Sequence, residues 1–272
     1  MKRIVILTAN ELRHDFLRTF LASSLEFSVI RSYCEVPEQN LSQTIMAEDI
    51  HDSRIQHLLM RAQTEKDFFG AFCTKIIDNS NPKYISKGAI NSTEIVNEVT
   101  ELNPDIIISF GCSIIKSSLL NDFKGKFVNI HLGLSPYYRG TATNFFPFIN
   151  EELSCVGATF MHIDSGIDTG TIIHQMRPTI SPGDTIHQIG NRLIAEMAAV
   201  CEKIIIHFDE LANMNPIIFI ESIGKIYRKK DFTEEMVRAM YERFESGIIA
   251  KYLNNKVNLD LQFPILRNPS LK

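Results

Sequence analysis

Residues 104–140, "PDIIISFGCSIIKSSLLNDFKGKFVNIHLGLSPYYRG", decide the fold. "DIIISF" is an unbroken apolar run, the pattern of a strand in a parallel sheet covered on both faces. "SSLLNDF" has the length of a short helix, and "KFVNIHL" returns to strand. Side chains alternate faces along that second strand. Asn129 and His131 therefore share one side, while Val128, Ile130 and Leu132 share the other. The run then breaks into a Gly/Ser/Pro loop. Strand, helix and strand in this order build an open, mostly parallel α/β sheet of Rossmann-like type, with its site at the carboxyl ends of the strands. Asn129 and His131 stand at such an end.

Working outward, "RIVIL" at 3–7 reads as a first buried strand. A helix follows with Leu12, Phe16, Leu17, Phe20 and Leu21 on one face and Asn10 as its expected N-cap. "EFSVIRSYCE" predicts a second strand. Residues 41–77 read as mostly helical, with Ile55, Leu58, Leu59, Ala62, Phe69 and Phe72 near helical spacing, until "NSNPK" breaks the pattern. "STEIVNEVTELNPD" is a helix capped by Ser92 or Thr93. Beyond the central stretch, "TNFFPFINEE" predicts a helix around Pro147. "VGATFMHID" and "TIIHQMRPTI" are strands joined by the turn "SGIDTG", and a long helix starts near Asp184. "GKIYRKKDF" differs in character and precedes an amphipathic helix at Glu234 to Glu245 and a tail. The expected division is a catalytic domain at 1–212 and a short C-terminal appendage at 213–272.

Composition narrows the function. The 272 residues are 44% hydrophobic and 22% charged, ordinary for a soluble globular chain. The formal net charge of -4 gives no global basic field for nucleic acid. The apolar run 4–7 is too short for a signal peptide or a membrane span, so a cytoplasmic location without membrane attachment is expected. Five scattered cysteines (Cys34, Cys73, Cys112, Cys155 and Cys201) without a CxxC pair predict reduced thiols and no zinc site.

Three polar residues carry the chemistry. Asn129 offers an amide donor, His131 an acid/base group, and Asp168 a carboxylate from a Gly-flanked turn. Such a set suits acyl transfer between nitrogen atoms: the imidazole manages the proton of an attacking amine, and the amide stabilises a developing oxyanion. The carboxylate orients the imidazole. Each also has a structural reading, as a loop cap, a satisfied core histidine and a turn residue respectively.

Taken in order, "NIHLGLSPYYRG" and "GATFMHIDSGIDTGTIIHQ" resemble the folate-dependent formyltransferase family, closely over 105–175 and loosely over the first two hundred residues. That family has an Asn-x-His strand end, an SLLPxxRG loop and an Asp in a GxDTG turn. The resemblance implies formyl transfer from N10-formyltetrahydrofolate to an amine, with Asn129, His131 and Asp168 catalytic and no metal. It also implies that the pterin lies against Phe110, Gly111, Ile114, Ile115 and Lys116, and against Asp164, Gly166 and Ile167. The chain departs from the family pattern at "GLSP" (133–136) and at Lys116, where a Pro is usual. It also lacks the glycine-rich phosphate loop of the glycinamide ribonucleotide enzyme, having "TANELRH" instead.

Within the family, the resemblance is to the branch that formylates nucleotide-linked amino sugars for surface polysaccharides. The expected acceptor contacts are Asn10, Arg13 and His14, where a helix N-terminus meets the first strand and suits a phosphate. Tyr137, Arg139, Gly140 and Asn144 around the loop complete that set. His57, Arg61 and Glu65 are expected to form an exposed helical stripe, and Lys225, Arg228, Lys229 and Lys230 a solvated face. A homodimer is implied by the resemblance. The alternatives are methionyl-tRNA as acceptor, hydrolysis of formyltetrahydrofolate, and a non-catalytic folate or nucleotide-sugar binding protein. The sixty-residue tail argues against the first, and the intact trio against the last.

Overall fold

The computed structural model describes residues 1–37, 51–164, 166–212 and 224–271. In chain order the elements are β1 (Lys2–Thr8), α1 (Leu12–Ala22), β2 (Phe27–Val36), α2 (Ser53–Lys75), β3 (Pro82–Ser86), α3 (Thr93–Leu102) and β4 (Ile106–Phe110). There follow α4 (Ser117–Asp122), β5 (Phe127–His131), β6 (Tyr138–Gly140), α5 (Phe146–Ile149), β7 (Ala158–Met161) and β8 (Ile172–Met176). The chain continues through α6 (Ile186–Ile206), β9 (Lys225–Tyr227), α7 (Glu234–Glu245), α8 (Ile248–Asn254) and α9 (Lys256–Gln262).

Seven of the described strands form one sheet in the order β3-β2-β1-β4-β5-β7-β8. The first five are parallel, and β7 and β8 run antiparallel to their neighbours. Strand order reverses at β1, between β2 and β4, which is the switch point where open α/β sheets gather their sites. The buried strands explain themselves by alternation. Ile4, Ile6, Ile106, Ile108, Val128 and Ile130 belong to one cluster with Leu17, Leu21, Leu193 and Met197 of the covering helices. Val5, Leu7, Ile107 and Phe127 join a second cluster with Ile95, Val99 and Leu119. Each such side chain, fully buried, contributes roughly 1.5–3 kcal/mol.

A third cluster lies under the loops after β5. It joins Leu134, Tyr138, Phe146, Phe148 and Ile189 to Val237, Met240, Ile248 and Tyr252 of α7 and α8. The carboxy-terminal segment shares this core with the body of the protein, and the expected boundary at 212/213 borders residues outside the described ones.

The helix at 41–77 is described from Ser53, with Asp52 capping it through Arg54 N, and residues 41–50 fall outside the described set. Residues 143–152 hold only the single turn α5. The α6 helix starts at Ile186, close to the expected Asp184, where Thr185 and Gln188 form a capping box. Asn10 is not the cap of α1: Glu11 takes that position, its backbone N–H donating to His14 Nδ1 at 3.2 Å. "KIY" at 225–227, unassigned in the sequence, pairs in parallel with β6, and the tail contains α8 and α9.

Candidate active site

Asn129 and His131 lie on β5, facing away from the cluster that takes Val128 and Ile130. Asn129 stands opposite Ser109 of β4 in register, and the Ser109 hydroxyl donates to Asn129 Oδ1 at 2.8 Å. This fixes the amide with its NH₂ group turned away from Ser109. Sequence reasoning missed Ser109, whose signal is a lone hydroxyl in the apolar run "DIIISF".

His131 is 7% exposed and flanked by acceptors on both sides. Nδ1 lies 3.3 Å from Asp168 Oδ1, and Nε2 lies 3.1 Å from the carbonyl oxygen of Tyr138. A ring with a proton on each nitrogen satisfies both partners, whereas a singly protonated ring satisfies one. Gly133 opens the loop that departs from the family pattern. A Cβ there would stand 2.7 Å from both His131 Nε2 and Thr143 Cβ, so the ring occupies the space a side chain would need. Thr143 in turn donates to the Leu132 carbonyl.

Asp168 sits in the turn between β7 and β8 at φ +51°, a left-handed conformation that Asp adopts more readily than most residues. Its Oδ2 accepts from Gly140 N at 2.9 Å, so one carboxylate ties the imidazole to the backbone of β6. Asp164 shapes this turn by accepting from Gly166 N at 2.9 Å and Thr169 Oγ1 at 2.7 Å. Gly170 is needed because a Cβ would fall 1.7 Å from the His162 carbonyl oxygen.

The residues expected to line the pterin divide. Ile114 and Ile167 expose 79% and 55% of their surface, apolar side chains left open in the two segments concerned. Phe110 and Ile115 are core residues. Lys116 is held through its backbone N–H by Asn91 Oδ1 at 2.7 Å. Gly111, at φ +69°, packs so closely on His14 that a Cβ would meet Nε2 at 2.5 Å.

The expected acceptor contacts are largely engaged within the protein. Burial lowers the pKa of His14, and the Glu11 carboxylate, 2.8 Å from its Nδ1, opposes that shift. Burial works to raise Glu11, but His14, Arg13 and Arg61 outweigh it and hold the carboxyl far below its usual range. Arg13 pairs with Glu65 at 2.6 Å. Tyr137 donates to the Pro264 carbonyl at 2.8 Å and meets Phe263 edge-on. Asn144 spends both amide groups on Gly157, at 2.9 Å each. Arg139 differs: its Nε is buried with no hydrogen-bond partner among the described residues, one position from Gly140.

The exposed stripe on α2 is not found. His57 and Glu65 are 6% and 3% exposed, turned inward against α1, α6 and α7. His57 contacts Tyr241 Oη at 3.1 Å and lies tilted at 45° against His187, with ring centroids 4.5 Å apart. Burial, with His187 and Arg61 adding to it, pushes His57 down to about 3, and burial with Arg61 pushes His187 down to about 4. Of the basic cluster near 225–230, Lys225 is not simply solvated: it pairs with Glu152 at 2.8 Å. Among the described residues, no helix is long and apolar enough to cross a membrane and no three His, Cys, Asp or Glu side chains are grouped to hold a metal ion.

Comparison with known proteins bears on this geometry. Residues 50–204 match the family model described as "Formyl transferase". A methionyl-tRNA formyltransferase of Geobacter metallireducens is 36% identical over 106 residues, 38% of this chain and 33% of that protein. A GDP-perosamine N-formyltransferase of Brucella melitensis is 34% identical over 123 residues, 45% of this chain and 47% of its own. The chain thus spans between a third and a half of these two relatives. The fold matches the crystal structure of the formyltransferase PseJ from Anoxybacillus kamchatkensis with a TM-score of 0.52 at 20% identity, over 88% of this chain and 97% of that one.

Proposed function

The chain belongs to the formyl transferase family, and we propose that it is an N-formyltransferase that carries a formyl group from N10-formyltetrahydrofolate to the amine of a nucleotide-linked amino sugar. The observation that carries this reading is the convergence of Asn129, His131 and Asp168 on one strand end. As the acceptor nitrogen adds to the formyl carbon, negative charge grows on the formyl oxygen. The Asn129 NH₂, preset by Ser109, is a donor for it. His131, with one ring nitrogen unprotonated, takes up the proton that the amine sheds. Asp168 keeps the ring oriented throughout. His131 then passes that proton to N10 as the bond between N10 and the formyl carbon breaks, and tetrahydrofolate leaves. The exposed Ile114 and Ile167 fit its flat pterin, and the turn built on Asp164 and Gly166 offers backbone groups to its polar edge.

The amino-sugar acceptor is supported by the identity to GDP-perosamine N-formyltransferase. Arg139, whose buried Nε has no hydrogen-bond partner among the described residues, is the cation assigned to an anionic part of the acceptor. A second reading, methionyl-tRNA, has the 36% identity in its favour. Charge speaks against it: the chain carries -4, and Lys225 of its main basic cluster is spent on Glu152.

The test is a mass-spectrometric screen of nucleotide-linked amino sugars and methionyl-tRNA with N10-formyltetrahydrofolate. Gain of one formyl group on a sugar establishes the reading. Gain on the tRNA replaces it with the second, and formate release without an amine acceptor replaces it with hydrolysis.

A further inference from the structure

We propose that β9 is a positioning element of the reaction centre: Lys225–Tyr227 holds the short strand β6, whose backbone in turn holds both His131 and Asp168. Both catalytic assignments rest on the reading above, whereas the contacts themselves do not. Within β6 the carbonyl of Tyr138 meets His131 Nε2 at 3.1 Å, and the N–H of Gly140 donates to Asp168 at 2.9 Å. The imidazole and its carboxylate thus share one three-residue support.

That support has β9 as its strand partner, in the register Tyr138↔Lys225, Arg139↔Ile226 and Gly140↔Tyr227. Lys225 N donates to the Tyr137 carbonyl and Thr141 N to the Tyr227 carbonyl, each at 2.9 Å, closing the ladder at both ends. A three-residue strand without a partner has too few bonds to offset the entropy of fixing its backbone.

Side chains lock the register. Lys225 Nζ donates to both carboxylate oxygens of Glu152 at 2.8 Å, and Glu152 also accepts from the Tyr138 hydroxyl. The Tyr227 ring stacks on Phe146 with centroids 3.7 Å apart and lies parallel to Tyr138 at 5.8 Å. Asn150 Nδ2 donates to the hydroxyls of Tyr138 at 2.7 Å and Tyr227 at 2.9 Å. Gly140 admits the close approach, since at φ +95° a Cβ there would fall 2.2 Å from the Tyr227 carbonyl oxygen.

Loss of the lock lets the Tyr138 carbonyl and the Gly140 N–H move together, and with them both catalytic side chains. A misplacement of about 1 Å is enough to cost on the order of a hundredfold in rate.

The variants are Lys225→Met and Tyr227→Leu, with Lys225→Arg as the conservative change and Ile226→Ser as a control on the exposed side of the same strand. The readout is the ring ¹⁵N resonances of His131 at one fixed pH, identified by their loss in His131→Gln, beside a thermal midpoint for folding. Lys225→Met and Tyr227→Leu are expected to shift the His131 resonances and leave the other histidines in place. Lys225→Arg is expected to return them to the parental positions, and Ile226→Ser to leave them there.

With an acceptor from the screen, kcat should fall by about ten- to a hundredfold while KM for N10-formyltetrahydrofolate stays within about twofold. His131 resonances at their parental positions in folded Lys225→Met overturn the proposal. Should Tyr227→Leu not fold, Lys225→Met decides, because it removes a partly exposed ion pair and leaves the ring packing of Tyr227 in place. Failure of the screen to find an acceptor bears on the reaction and leaves the resonance result standing.

Discussion

Asn129 receives its orientation from Ser109 and has one task in the proposed reaction, so its removal is a clean test. Asn129→Ala is expected to lower kcat by about 10²–10³ and to leave the thermal midpoint near that of the parent. Turnover close to parental would remove it from the mechanism. Gly133→Ala asks a different question, because its new methyl group would contest the position of His131 Nε2 at 2.7 Å. We expect a stability loss of about 1–3 kcal/mol from overpacking, measured by denaturant titration, together with a fall in kcat. At this scale the sequence was informative where side chains carry the proposed chemistry: "NIH" and "IDTG" named three residues that the fold brings to one strand end. It was silent where backbone atoms carry it. The Tyr138 carbonyl and the Gly140 N–H have no signature of their own, since every residue type except proline supplies both groups.

Among the elements, legibility followed length and periodicity. The α3 helix showed its Ser92 cap and α7 its span, because ten or more residues repeat an apolar face several times. The β9 strand has three residues and α8 has seven, too few to display a period, and their stability comes from packing against distant chain. The reading of α2 as an exposed stripe failed because its charges are paired inside, Glu65 with Arg13, and a polar face looks the same in sequence whether water or a partner satisfies it. Gln175 on β8 shows what such pairing is worth. Its side chain donates to the Ser135 carbonyl at 2.7 Å and accepts from Leu266 N at 3.0 Å, joining the sheet, the loop at 133–136 and the tail. Gln175→Ala leaves a buried carbonyl and a half-buried N–H without partners, for an expected loss of about 2–4 kcal/mol in denaturant titration. A loss under about half a kcal/mol would mean that water replaces the amide there.

For the molecule as a whole, the paired imidazoles of His57 and His187 set a pH dependence of folding. Unfolded, each accepts a proton near pH 6.5. Folded, burial delays this to about 3 for His57 and about 4 for His187. Between those values the unfolded state binds more protons, so this contribution to stability is complete above about pH 6.5 and declines as the pH falls toward 4. The slope is at most about 1.4 kcal/mol per pH unit for each residue. Denaturant titrations at pH 7 and pH 5 should show a shallower decline in His57→Gln/His187→Gln than in the parent. Equal slopes would place the protons elsewhere.

The tail at 264–271 has a consequence of another kind. Leu266 and Asn268 occupy the outer edge of β8, taking the N–H of Gln175 at 2.6 Å and the carbonyl of Ile173 at 3.3 Å. Proteolytic clipping before residue 264 would spare Asn129, His131 and Asp168 and uncover a sheet margin whose freed backbone groups, the Gln175 N–H and the Ile173 carbonyl, invite a second molecule to add its own strand. A preparation nicked there is expected to aggregate more than the intact chain, as light scattering would show.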